Sequence, residues 1–182
     1  MTENKLDNFG KVVLYLIKGS PGLCKTQIRK GLFLVDSIYY ALHKKSLTGC
    51  EYIKEKYGPV PDTKHYKKLS NILIDYAKEK IVEDNFYEKS SYYIKNDLEL
   101  DIKAEDKKIL DIVINFISNK TAKELYSLTH GKVYNKTKMY NLIDLKDVVE
   151  WKINDITEED ITNEEELRSL SKKDESAILS FC

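Results

Sequence analysis

Residues 57–61 read Tyr57-Gly58-Pro59-Val60-Pro61 and hold two of the three prolines in the chain. Each proline fixes φ and lacks an N–H, and the residue before a proline is pushed to extended geometry. The stretch therefore reads as a stiff, non-helical strut. The segments on either side read as helices, so the strut's carbonyls and remaining N–H groups must find partners on whatever it crosses. Gly58 permits a backbone course that a side chain would restrict, which predicts a close approach to a central helix.

That central helix lies upstream, in TQIRKGLFLVDSIYYALHKK. Ile28, Leu32, Val35, Tyr39 and Leu42 recur there at steps of four and three, with Thr26 placed as an N-cap. Phe33, Leu34 and Ile38 widen the apolar face to most of the circumference, as in a buried helix. Asp36 stands alone in this apolar window. Two readings are open: a carboxylate on a narrow polar seam facing solvent, or a buried carboxylate bonded to the backbone of the strut or to a tyrosine.

A first helix is expected over residues 8–19, closed by Gly19-Ser20-Pro21-Gly22. After the strut, Asp62 or Thr63 caps a third helix that carries Tyr66, Leu69, Leu73 and Tyr76 and runs to about Ile81. A short hairpin follows, with its turn at Glu88-Lys89-Ser90-Ser91. Residues 105–118 read as a buried helix. Thr121 and Glu124 match a capping box that starts a short helix at Ala122 and ends it near His130. Val148, Val149 and Trp151 suggest one more docking segment, and Leu167, Leu170 and Ile178 a terminal helix capped at Thr162 or Asn163. The fold class expected is mainly α: a compact helical domain with a small β-hairpin, in the order helix-helix-strut-helix-hairpin-helix-helix and partly winged-helix-like. The domain spans residues 1–150, and 151–182 form an acidic C-terminal extension. Among the tyrosines, Tyr39, Tyr66 and Tyr76 are assigned to the core, while Tyr40, Tyr57 and Tyr87 stay open.

At 182 residues, 42% hydrophobic and 33% charged, the composition is that of one globular core. The opening MTENKLDNFGK has no apolar run of the kind a signal peptide or membrane span needs, so a cytosolic protein is expected with no membrane partner. The zero net charge is unevenly distributed. Up to residue 95 there are 17 Lys/Arg against 11 Asp/Glu, and from residue 155 there are 3 against 9. Such a modest basic excess falls short of a nucleic-acid footprint.

Catalytic signatures are missing from the sequence. His43, His65 and His130 occur singly, with no HExxH and no cysteine at ligand spacing, so no metal is expected. Cys24, Cys50 and Cys182 read as free thiols. No GxxxxGK[ST], GxGxxG or GxSxG occurs. The reading is of a non-enzyme without cofactors.

Taken together, Asp36 among aromatics, Thr48-Gly49, Tyr52 and Gly58-Pro59-Val60-Pro61, with Leu125 and Thr129-His130 downstream, resemble the Panacea domain, the SocA-like antitoxin domain, over roughly residues 6–140. One position departs from that pattern: Tyr134 lies nearest to where the family often carries a tryptophan. The resemblance implies a bacterial or prophage-borne antitoxin that neutralises a cognate toxin protein by direct binding, with self-association left open. It also implies that Asp36, Thr48, Gly49, Tyr52, Gly58, Pro59, Val60, Pro61 and His130 are structural motif residues. The alternative is a winged-helix-like DNA-binding regulator. In that reading Lys64, Lys67 and Lys68 would open a recognition helix and Lys89 on the hairpin would reach phosphate. Arg29 is the only arginine before residue 168, and bidentate guanine contacts favour arginine, so weak or no DNA binding is expected.

Overall fold

The computed structural model describes residues 6–84 and 87–154. Helices dominate it. α1 (Asn8–Gly19) and α2 (Lys25–His43) are followed by β1 (Tyr52–Glu55) and β2 (Gly58–Pro61), then by α3 (Thr63–Tyr76). β3 (Ala77–Asp84) and β4 (Tyr87–Ile94) form a hairpin, and α4 (Ala104–Ser118), α5 (Ala122–Thr129), α6 (Lys132–Lys136), β5 (Leu142–Ile143) and α7 (Leu145–Asn154) complete the order. The mainly α expectation holds. No helix among the described residues is long and apolar enough to cross a membrane.

The wide apolar face of α2 places it at the centre, and its side chains from Gln27 to Tyr39 are buried apart from Arg29. It packs against α1, α4, α5, α7 and β2. Its N-cap is Cys24, two residues earlier than Thr26 would set it. The Gln27 side chain accepts from the Cys24 N–H at 2.9 Å, while Thr26 lies inside the first turn and its hydroxyl accepts from Arg29. A local cap signal was thus displaced by the Cys24–Gln27 capping pair, which starts the helix two residues upstream. Elsewhere the caps follow the sequence. Asp7 accepts from Gly10 N–H, Asp62 from His65 N–H, and Thr121 and Glu124 close their capping box.

The strut is a strand. β2 pairs antiparallel with β1, Tyr52 opposite Pro61 and Glu55 opposite Gly58, and β5 adds to the other side of β1. β2 is therefore at the edge of the order β2-β1-β5. Asp62 N–H donates to the Glu51 carbonyl at 2.8 Å, so the N–H groups facing β1 are those of even-numbered residues. The nitrogens of Pro59 and Pro61 point away from β1, so no ladder bond is lost although both rings are buried. The proline rule excluded helix correctly, but it does not exclude an edge strand in this phase.

The second hairpin is longer than expected. Ala77 turns to extended geometry and pairs with Ile94, so α3 stops at Tyr76 and does not reach Ile81. Residues 88–91, expected to turn, lie inside β4, with Lys89 opposite Val82 and Ser91 opposite Lys80. The register is anchored far from the turn: Gly22 N–H donates to Tyr92 O and Tyr92 N–H to Leu23 O, joining the α1–α2 connection to β4. Eight paired residues and that bridge outweigh the turn preference of two serines. Val148 and Val149 belong to α7, which docks on α2, and α6 and β5 had no counterpart in the sequence reading. The terminal helix expected through Leu167, Leu170 and Ile178 lies outside the described residues.

Candidate functional site: a buried carboxylate and a cationic groove beside the hairpin

Asp36 is fully buried, which decides between its two readings. One carboxylate oxygen accepts from Leu47 N–H at 2.9 Å and Thr48 N–H at 3.0 Å, and the other from the Thr48 hydroxyl at 2.5 Å and the Tyr52 hydroxyl at 2.7 Å. Tyr52 is the tyrosine partner the sequence allowed. The backbone partners are the turn after α2 rather than the strut itself. Gly49 makes that turn with φ +71°, and Thr48 Oγ1 accepts in its own right from Cys50 N–H at 3.0 Å. Burial pushes the Asp36 carboxyl up from its ordinary value, and the Thr48 and Tyr52 bonds pull it back toward the charged form. Tyr52 is itself held well above the usual phenol range by burial and by Asp36. Phe33 meets the Tyr52 ring edge-on at 5.1 Å, so the knot is packed as well as bonded.

The hairpin is tied to α2 by a different residue. Lys30, only 2% exposed, donates from Nζ to the Tyr57 carbonyl at 2.8 Å, at the tip of the β1–β2 hairpin. Gly58 follows with φ +104°, and a Cβ there would fall 1.8 Å from Lys30 Nζ and 2.7 Å from His130 Cε1. The close approach expected of Gly58 is therefore present, with a lysine where the aspartate was expected. Burial, aided by the Arg29 charge, pushes the Lys30 ammonium down to about 7.

His130 caps α5 between two rings, Tyr126 at 3.6 Å and Tyr134 at 4.0 Å between centroids. Its Nδ1 bonds the Tyr126 carbonyl, and its buried Nε2 has no hydrogen-bond partner among the described residues. Burial lowers its pKa against the pull of the Tyr126 bond, and the Lys30 and Lys54 charges lower it further. The Tyr134 hydroxyl donates to the Glu55 carbonyl, so it supports the hairpin from the other side. The motif residues thus converge on two adjacent joints. Asp36, Thr48, Gly49 and Tyr52 make one; Gly58 and His130 make the other with Lys30. Pro59, Val60 and Pro61 form the strand leading from the second joint.

Beside that strand lies a groove of about 490 Å³. Arg29 and Lys30 reach it from α2, Tyr57 and Pro59 from the hairpin, and Tyr66 and Lys67 from α3. Glu55 is the one carboxylate among the residues lining it. Lys25 and Arg29 both sit over the Tyr66 ring, at 4.8 and 5.8 Å. Tyr66 is a groove residue rather than the core residue expected, whereas Tyr39 is core and Tyr76 packs against its edge.

The basic residues proposed for DNA do not form one exposed set. Lys64 and Lys67 are exposed on α3, but Lys68 is paired with Asp7 and lies over the Phe9 ring. Lys89 is in β4. Sequence reading also missed the approach of Cys50, Asp62 and His65, whose donor atoms lie within 4.8 Å of one another. No linear spacing announces that group, and Asp62 is already engaged in capping α3 and bonding His65 Nδ1 at 2.6 Å.

The chain is mainly helical and built round a buried carboxylate, with an edge hairpin tied to its central helix and a cationic groove alongside. Residues 28–134 match the family model described as antitoxin SocA-like, Panacea domain, and that span is more than half of the chain. The chain belongs to that family. Neither the curated proteins nor the solved structures gave a match to it.

Proposed function

We propose that the chain is an antitoxin that neutralises a cognate toxin by direct protein–protein contact. It acts in the cytoplasm without catalysis of its own, and it is encoded beside its toxin in a bacterial operon or prophage. Membership of the SocA-like family is the observation that carries this reading. The two interior joints supply the rigid support that a binding surface needs. The neighbouring open reading frame, expressed alone, should arrest growth, and co-expression with this chain should restore it and yield a complex on purification. A harmless neighbour, or a toxic one that never co-purifies, overturns the proposal.

One observation favours a second, compatible reading as a winged-helix-like DNA binder. α3 leads directly into the β3–β4 hairpin, and Leu23 between α1 and α2 bridges to Tyr92 of that hairpin. With Lys68 engaged by Asp7, few cations are left on α3, so duplex binding should be weak and fall steeply with salt. Nanomolar, sequence-specific binding in physiological salt would make regulation the main role.

A further inference from the structure

Lys30 poses a question that the interior joints do not answer. It is almost fully buried, and its only hydrogen bond in the described structure is to a neutral carbonyl. Buried ammonium groups ordinarily pair with a carboxylate, because an unpaired charge in low dielectric is costly. Arg29 repeats the pattern one residue earlier. Its Nη2 donates to the Thr26 hydroxyl, while its buried Nε has no partner among the described residues. Both cations line the same groove, Lys67 adds a third on its wall, and Glu55 is the one opposing carboxylate. The residues lining the groove thus carry three cations against one carboxylate.

We infer that this groove receives an aspartate or glutamate side chain of the partner protein, held by Arg29 and Lys30 and flanked by the rings of Tyr57 and Tyr66. The inference rests on the antitoxin reading for the identity of the partner, though not for the chemistry of the groove. Lys30 and the Arg29 Nε are already desolvated in the free fold, so an arriving carboxylate meets largely preorganised partners. The walls favour a protein ligand over a nucleic acid. Ile53, Pro59 and Val60 make them apolar between the rings, and tyrosine and arginine are the residues enriched at protein interfaces. Phosphate tracking needs a row of exposed cations, whereas Lys30 is enclosed.

The test is peptide-display selection on the full chain and, in parallel, on its Lys30→Met and Arg29→Gln variants. Thermal melts establish that each variant is folded, and the second variant serves if the first is not. The expected result is a consensus centred on one Asp or Glu with apolar neighbours, with affinity for synthetic consensus peptides falling about tenfold or more in each variant. A selection without an acidic consensus, or peptides that bind the folded variants as well as the wild type, would overturn the inference. So would displacement of the peptides by duplex DNA, or tight occupancy by a synthetic peptide of residues 155–182. The neighbouring gene product separates the two proposals. If it binds wild type and folded variants alike, the groove inference fails and the antitoxin reading stands; an acidic consensus beside a harmless neighbour has the reverse meaning.

Discussion

Four donors converge on the Asp36 carboxylate, so the cost of removing it is set by what is left behind. In Asp36→Leu the two backbone N–H groups of Leu47 and Thr48 and the hydroxyls of Thr48 and Tyr52 face an alkyl chain. Stranded donors cost about 1–3 kcal/mol each when buried. Chemical denaturation of this variant should show a loss of about 3 kcal/mol or more, and a variant of unchanged stability would show that the knot around Asp36 does not hold the fold. Lys30 gives a prediction of different form. Its ammonium titrates near 7 in the folded chain against 10.5 when unfolded, so between those values the unfolded chain binds more protons and stability rises with pH. Arg29 on its own helix, the Tyr57 carbonyl and His130 from the end of α5 lie beside it, and Glu55, Tyr66 and Lys67 share its groove. Lys30→Met removes this contribution. The stability of the variant relative to wild type should be most favourable at pH 7 and below, and should decline steadily toward pH 10. A difference that stays flat with pH would show that the amine is not desolvated. The two residues also differ in how visible they are in the chain. Asp36 stands out as the single charge inside GLFLVDSIYY, whereas Lys30 sits beside Arg29 at the border of that window and looks like an ordinary solvated flank.

At the scale of elements, the β1–β2 hairpin is where local rules and tertiary context part company. Extended geometry at residues 57–61 follows from two prolines and needs no further information. Strand pairing does not, because β1 and β2 are four residues each and carry no alternating pattern of their own. The second partner of β1, Leu142–Ile143, lies some ninety residues away in the chain. The phase of the prolines gives a sharp test. Pro59 has no ladder bond to lose but its ring is buried, so Pro59→Ala should cost about 1–2 kcal/mol, through unfolded-state entropy and lost packing. Val60 faces β1, and Val60→Pro should cost about 3 kcal/mol by removing a ladder bond. Equal effects in equilibrium unfolding would mean that the register is wrong. Gly58→Val belongs with these. Its positive φ and the closeness of Lys30 and His130 both oppose a side chain, and a loss of about 2–4 kcal/mol is expected by the same measurement. Helices were more legible than strands for a physical reason. Caps and periodic apolar faces are written within a few consecutive residues, as at Asp62, Thr121 and Ile109 to Ile117, while the β3–β4 register depends on Leu23 meeting Tyr92 across sixty-nine positions.

For the whole molecule, the buried apolar residues run, among the described residues, from Phe9 to Val149, with α7 packed on α2. The basic front of the sequence carries the cationic groove and much of this core, and the sequence from residue 155 carries 9 acidic residues against 3 basic ones. Charge of that sign lies beyond every residue that builds the two interior joints. Long-range attraction between such regions is screened over about 10 Å at ordinary ionic strength, so it contributes little to holding a core together. Truncation after Asn154 should accordingly leave a single cooperative melting transition within a few degrees of the full chain. Loss of cooperativity would place residues 155–182 in the core. A truncated chain that melts normally and still rescues growth would locate recognition wholly in the described domain. One that melts normally but no longer captures the neighbouring gene product would assign partner choice to the acidic stretch, with the groove acting as a second and separable point of contact.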